Sequence, residues 1–71
     1  MRILFTGGAG AGGEAIYRLL EGRYEVHLAD ACPDGIAPDV PAGRRHRLPL
    51  ARNPEFAASL QVLCRRLRID L

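Results

Sequence analysis

Arg2-Ile3-Leu4-Phe5-Thr6-Gly7-Gly8-Ala9-Gly10-Ala11-Gly12-Gly13 is the stretch on which the fold turns. Ile3-Leu4-Phe5 is a short apolar run of strand composition, and Thr6-Gly7-Gly8 closes it abruptly, which predicts a buried strand entering a tight turn. Past the glycines, Ile16, Leu19 and Leu20 fall at i, i+3 and i+4 with Ala15 and Tyr17 beside them, so a helix over 12–21 presents one apolar face. Gly22 predicts the end of that helix, because a residue without Cβ adopts the left-handed conformation cheaply. Tyr24-Glu25-Val26-His27-Leu28-Ala29 alternates as a second strand, with Asp30 at its carboxyl end. Strand, helix and strand within about thirty residues make a βαβ unit, in which the strands run parallel.

Working outward, residues 31–43 hold Pro33, Pro38 and Pro41 with Gly35 and Gly43 and are expected to be a loop. A short third strand over 46–49 follows, kept toward an edge by Pro49. Asn53-Pro54-Glu55 then predicts the start of a second helix over 54–67, with Asn53 as N-cap and Pro54 at the first helical position. Phe56, Leu60, Leu63, Cys64 and Leu67 form its apolar stripe, and a fourth strand is expected from Ile69 onward. The expected fold is α/β: a Rossmann-like parallel sheet of order 3-2-1-4 with helices on both faces. It forms one domain over residues 1–71, read as the truncated N-terminal piece of a longer protein. An open sheet edge and an uncovered apolar face then imply marginal stability or self-association.

Composition narrows the function classes. With 48% hydrophobic and 25% charged residues, the chain is not a disordered tail or a low-complexity segment. Ten arginines and no lysine against eight acidic residues leave a formal net charge of +2, too small to imply a nucleic-acid or membrane partner. Cys32 and Cys64 fit no metal-ligand spacing, so no metal site is expected and a reducing, cytoplasmic setting is. The amino terminus does not read as a signal peptide, because glycines follow Phe5 at once, and no run reaches the length of a membrane span.

The chemistry lies in the glycine loop. Gly8, Gly10 and Gly13 satisfy GxGxxG, and Gly7, Gly10 and Gly13 satisfy GxxGxxG. Missing side chains there let a phosphate or other anion approach the free N–H groups at the helix start. Asp30 lies 22 residues after Gly8, where a carboxylate would reach a ribose hydroxyl. The candidate binding residues are therefore Gly7, Gly8, Ala9, Gly10, Gly13 and Asp30, for a small-molecule substrate or nucleotide; no catalytic residue is assigned. The alternative is a tightly packed turn that binds nothing. A P-loop is excluded, since no GK[ST] follows and the chain has no lysine. His27 is expected to be a packed or hydrogen-bonded side chain, Cys64 part of the core, and Arg44, Arg45 and Arg47 a solvated loop.

Two resemblances follow from these residues. Thr6 to Gly13 resembles the TGxxGxxG loop of extended short-chain dehydrogenases and epimerases, which bind NAD(P). It departs at Ala11-Gly12, where that family places an aromatic and an aliphatic residue. Over nearly the whole chain, Ala29-Asp30-Ala31 with the proline-rich loop, Arg47-Leu48-Pro49-Leu50, Asn53-Pro54-Glu55-Phe56 and Arg68-Ile69-Asp70-Leu71 are similar to the amino-terminal domain of ATP-grasp ligases of the carbamoyl-phosphate synthase large-subunit type. This second resemblance implies a Rossmann-like pre-ATP-grasp domain that packs against the remaining domains of its parent and shapes the acceptor-substrate site. ATP and magnesium would then bind outside this chain. The first resemblance implies NAD(P) at the glycine loop instead, although the dehydrogenase Tyr-x-x-x-Lys pair is absent. Just downstream, a proline-containing turn and acidic residues would mark the ligase, and a His-Leu-Ala strand end the epimerase.

Overall fold

The computed structural model describes all 71 residues, Met1 to Leu71. Strand β1 spans Arg2–Thr6, helix α1 Ala11–Leu20, strand β2 Glu25–Asp30, strand β3 Arg45–Arg47 and helix α2 Phe56–Leu67. Two short 3₁₀ turns, Pro33–Gly35 and Ala42–Arg44, interrupt the connection between β2 and β3. The three strands form one parallel sheet in the order β1-β2-β3. Arg2 pairs with Glu25 and the register runs to Thr6 with Ala29; on the other side Leu28, Ala29 and Asp30 pair with Arg45, His46 and Arg47. The result is a small α/β unit with a parallel sheet. No helix is long and apolar enough to cross a membrane.

Strand β2 is central because it can be buried on both faces. Val26, Leu28 and Ala29 are inaccessible to solvent, and His27 between them is buried as well. Full burial of a side chain such as Leu28 contributes about 1.5–3 kcal/mol. One core cluster gathers Tyr17 of α1 with Val26, Leu28, Ile36 and Val40, flanked by Phe5 and Leu20. The other gathers Leu63 of α2 with Ala29 and Leu48, flanked by Leu4, Phe56, Leu60 and Leu67. The second helix thus uses the expected stripe. In α1 the face is rotated: Tyr17 and Gly13 are buried, whereas Leu19 is 75% exposed.

Several local expectations are corrected. Gly22 is not left-handed; the α1 end unwinds through a tighter turn, in which the N–H groups of Arg23 and Tyr24 both donate to the Leu20 carbonyl at 2.9 and 3.0 Å. The left-handed residue is at the other helix: Arg68 has φ 56°, its N–H donates to the Arg65 carbonyl, and the Ile69 N–H reaches back to the Cys64 carbonyl at 2.9 Å. This is the Schellman pattern, closed here by arginine instead of glycine. Helix α2 begins at Phe56, because Asn53 caps a separate turn by accepting the Glu55 N–H at 2.8 Å. Helix α1 begins one residue earlier than expected, and β2 and β3 are each offset by one residue from their expected starts. Residues 69–71 form no assigned strand, but Asp70 and Leu71 donate backbone N–H groups to the Arg2 carbonyl, and Leu4 donates to the Leu71 carbonyl at 3.0 Å.

The proline-rich connection is ordered by the arginines read as solvated. The Arg45 guanidinium donates to the carbonyls of Val40 at 2.9 Å, Ala37 at 2.7 Å and Pro33 at 3.5 Å. Arg47 donates to the Ala31 carbonyl, and Arg44 to that of Val26. These arginines act as backbone donors. A loop that lacks ladder partners needs them, since a carbonyl left unpaired near the core is costly. The same connection delivers Ile36 and Val40 to the core at 1% and 3% exposure.

Candidate functional site

Gly7 carries the turn out of β1 at φ +76°, a conformation that side chains with Cβ avoid. Gly8 then lies directly on β2. Its N–H donates to the Ala29 carbonyl at 3.0 Å, and a Cβ there would meet the Leu28 Cβ at 2.7 Å. Gly13, in the first turn of α1, packs against Gly8 so closely that a Cβ would stand 2.7 Å from the Gly8 Cα and carbonyl carbon. Gly8 and Gly13 are thus required by the packing of turn and helix on the sheet, and Gly7 by its backbone conformation.

Gly10 differs. It is the N-cap of α1 in extended conformation, and a Cβ would find only the Gly7 oxygen, at an ordinary 3.7 Å. The fold leaves room there.

Asp30 ends β2 and turns back across the loop. One carboxylate oxygen accepts the Ala9 N–H at 3.1 Å and the other the Cys32 N–H at 2.9 Å. These bonds, that of Cys32 foremost, hold its carboxyl below the usual aspartate value. The candidate residues therefore meet as one structural unit, but they do not line one cavity. Gly7 and Asp30 open on a cleft of about 270 Å³ whose far wall is Leu48, Pro49, Leu50 and Phe56. Ala9 and Gly10 face a different hollow of about 640 Å³, shared with Glu14, Arg18 and Asp39.

The electrostatics of the helix start are mixed. The N–H groups of Ala11 and Gly12 have no backbone acceptor, which is the disposition that receives anions. Two carboxylates, Glu14 and Asp39, line the hollow that Ala11 shares, and Asp30 is bound to the Ala9 N–H across the loop. The nearby cation, Arg18, pairs with Glu14 at 2.8 Å and Asp39 at 3.0 Å, contacts that raise its own pKa. A pyrophosphate here would meet more negative than uncommitted positive charge. No group of three or more histidine, cysteine or carboxylate side chains is placed to hold a metal ion.

Sequence reasoning missed one polar cluster. His27, under the sheet beside Ala29, approaches Glu25 through Nε2 at 2.7 Å and His46 through Nδ1 at 2.9 Å. Strand parity was the available signal: His27 in one strand and His46 in the next need only the right register to face each other. Comparison with protein-family models, with curated proteins and with solved structures finds no match for this chain.

Proposed function

We propose that this chain is the amino-terminal, pre-ATP-grasp domain of a carbamoyl-phosphate-synthase-like, ATP-dependent carboxylate-amine ligase. In this reading it shapes the substrate and nucleotide site of its parent without catalysing a step itself. The observation that carries it is the state of Asp30. Both oxygens are already used to tie the glycine loop to the start of the β2–β3 connection, so the carboxylate works as an internal staple where a dinucleotide-binding domain would present it to a ribose. Glu14 and Asp39, in the hollow at the helix start, favour the same side. Nucleotide and magnesium would bind in other domains of the parent, consistent with an absence of lysine here.

The finer topology belongs to the same proposal: a sheet of order 3-2-1-4 with helices on both faces. It is supported by the backbone bonds of Asp70 and Leu71 to Arg2 and Leu4, since the Met1 carbonyl accepts the Glu25 N–H and alternate residues of a strand face opposite edges. It is also supported by Leu28 and Ala29, adjacent in β2, belonging to the α1 and α2 clusters respectively.

The second reading, an NAD(P)-binding half of an epimerase or reductase, rests on the space at Gly10. Calorimetric titration separates the two. NAD(H), NADP(H) and ATP are expected to bind weakly or undetectably, with no change in Asp30→Ala. Micromolar NAD binding that Asp30→Ala abolishes would overturn the ligase reading in favour of the dehydrogenase one.

A further inference from the structure

His27 and His46 bring two imidazoles together where only one excess proton has a place. Their rings lie with centroids 5.1 Å apart and tilted by 39°, and His27 Nδ1 faces His46 Nε2 at 2.9 Å. The other His27 nitrogen, Nε2, faces a Glu25 oxygen at 2.7 Å, and Arg2 Nε lies 3.2 Å from that same oxygen. An ionised carboxylate only accepts, so His27 Nε2 carries a proton and donates it to Glu25. In the neutral pair, His27 Nδ1 is then a bare acceptor and His46 Nε2–H donates to it. One added proton is accommodated: His27 becomes an imidazolium against Glu25 and reverses the central bond, donating from Nδ1 to His46. A second added proton places two N–H groups nose to nose at 2.9 Å with no acceptor between them.

We propose that His27 and His46 form a proton-sharing pair that fastens β3 to β2 at neutral pH and releases it when acid protonates both rings. The charged groups facing the pair are Glu25 on β2, Arg2 on β1, Arg44 at the end of the second 3₁₀ turn and Arg66 on α2. Burial, with the His27 ring and Arg66 beside it, opposes charge on His46 and holds its pKa below the ordinary histidine value. The unfolded chain therefore binds more protons than the folded one as pH falls through and below the histidine range, and stability is lost in that direction. The lever is β3. It is three residues long, pairs with β2 only at Leu28, Ala29 and Asp30, and runs straight into Leu48–Ala51, the wall of the cleft beside Asp30. Release of β3 would open that cleft.

The test is side-chain NMR of the two imidazoles, with amide hydrogen exchange, on the 71-residue chain between about pH 7.5 and about pH 5. Expected is a neutral-pH state with both rings protonated at Nε2 and a coupled, two-step titration. Protection of Arg45, His46 and Arg47 should fall roughly tenfold relative to β1 and β2 across that range. His46→Gln keeps a donor for His27 Nδ1 but cannot be charged, so it should remove the acid loss of β3 protection. Two independent single-step titrations near the ordinary histidine value, or an unchanged acid loss in His46→Gln, would overturn the proposal. If His46→Gln does not fold, the tautomers and the titration of the unsubstituted chain decide the matter.

Discussion

Gly13 and Gly10 lie three residues apart in the same motif, yet substitution should have opposite outcomes. Gly13→Ala forces a methyl onto the Gly8 backbone, which cannot swing aside as a side chain would, so a loss of about 3 kcal/mol is expected. Gly10→Ala meets nothing closer than 3.7 Å and should stay within about 0.5 kcal/mol in urea denaturation. Gly10→Val is therefore a clean probe of any ligand that needs close backbone approach, because its fold should survive. Asp30 makes a pH-dependent contribution of known sign. Its carboxyl is held low in the folded chain, so the stabilisation is complete above the ordinary aspartate value and is lost as pH falls from there through the lowered folded-state value. Asp30→Ala should cost about 1 kcal/mol at neutral pH, allowing for partial exposure, and the gap should narrow in a urea series carried below the ordinary aspartate value.

At the scale of the element, α2 ends on a strained residue. Arg68 holds a left-handed conformation that costs an L-residue with Cβ about 1 kcal/mol, and its side chain makes no hydrogen bond to the rest of the chain that would repay it. Arg68→Gly should raise stability by about that amount, read as an increased urea midpoint with unchanged slope. A fall in stability would show that the guanidinium contributes more than the strain costs. The closure matters because it aims Asp70 at β1, where its carboxylate accepts the Arg2 N–H at 2.8 Å.

For the whole molecule, 11 of 71 residues are buried, a thin core for a chain that still exposes Leu19, Leu50, Val62 and Leu71. Charge is also segregated: residues 1–43 carry three arginines against six carboxylates, and residues 44–71 seven arginines against two. Complementary halves and exposed apolar side chains both favour association of copies. Sedimentation should show concentration-dependent oligomers, or denaturation a broad, weakly cooperative transition. A monomer with a sharp transition would mean the two small clusters suffice.

The amino-acid sequence by itself determined three strands, two helices and the parallel βαβ core, because strand composition in Ile3-Leu4-Phe5, the glycine turn and the α2 stripe are local signals with fixed periods. It also marked Asp30 and the glycines, since their spacing is set by the length of a strand-helix-strand passage. Tertiary structure alone decided what those residues do. Whether Asp30 faces a ligand or the Ala9 and Cys32 N–H groups depends on how the loop folds back over β2, which spacing does not encode. The arginines of 44–47 looked like solvated charge because their acceptors are carbonyls, and carbonyls are identical at every residue. His27 and His46 stand 19 positions apart and met only when the register of β3 on β2 was set. Backbone acceptors and strand register are long-range, sequence-silent quantities, so they appear only in three dimensions.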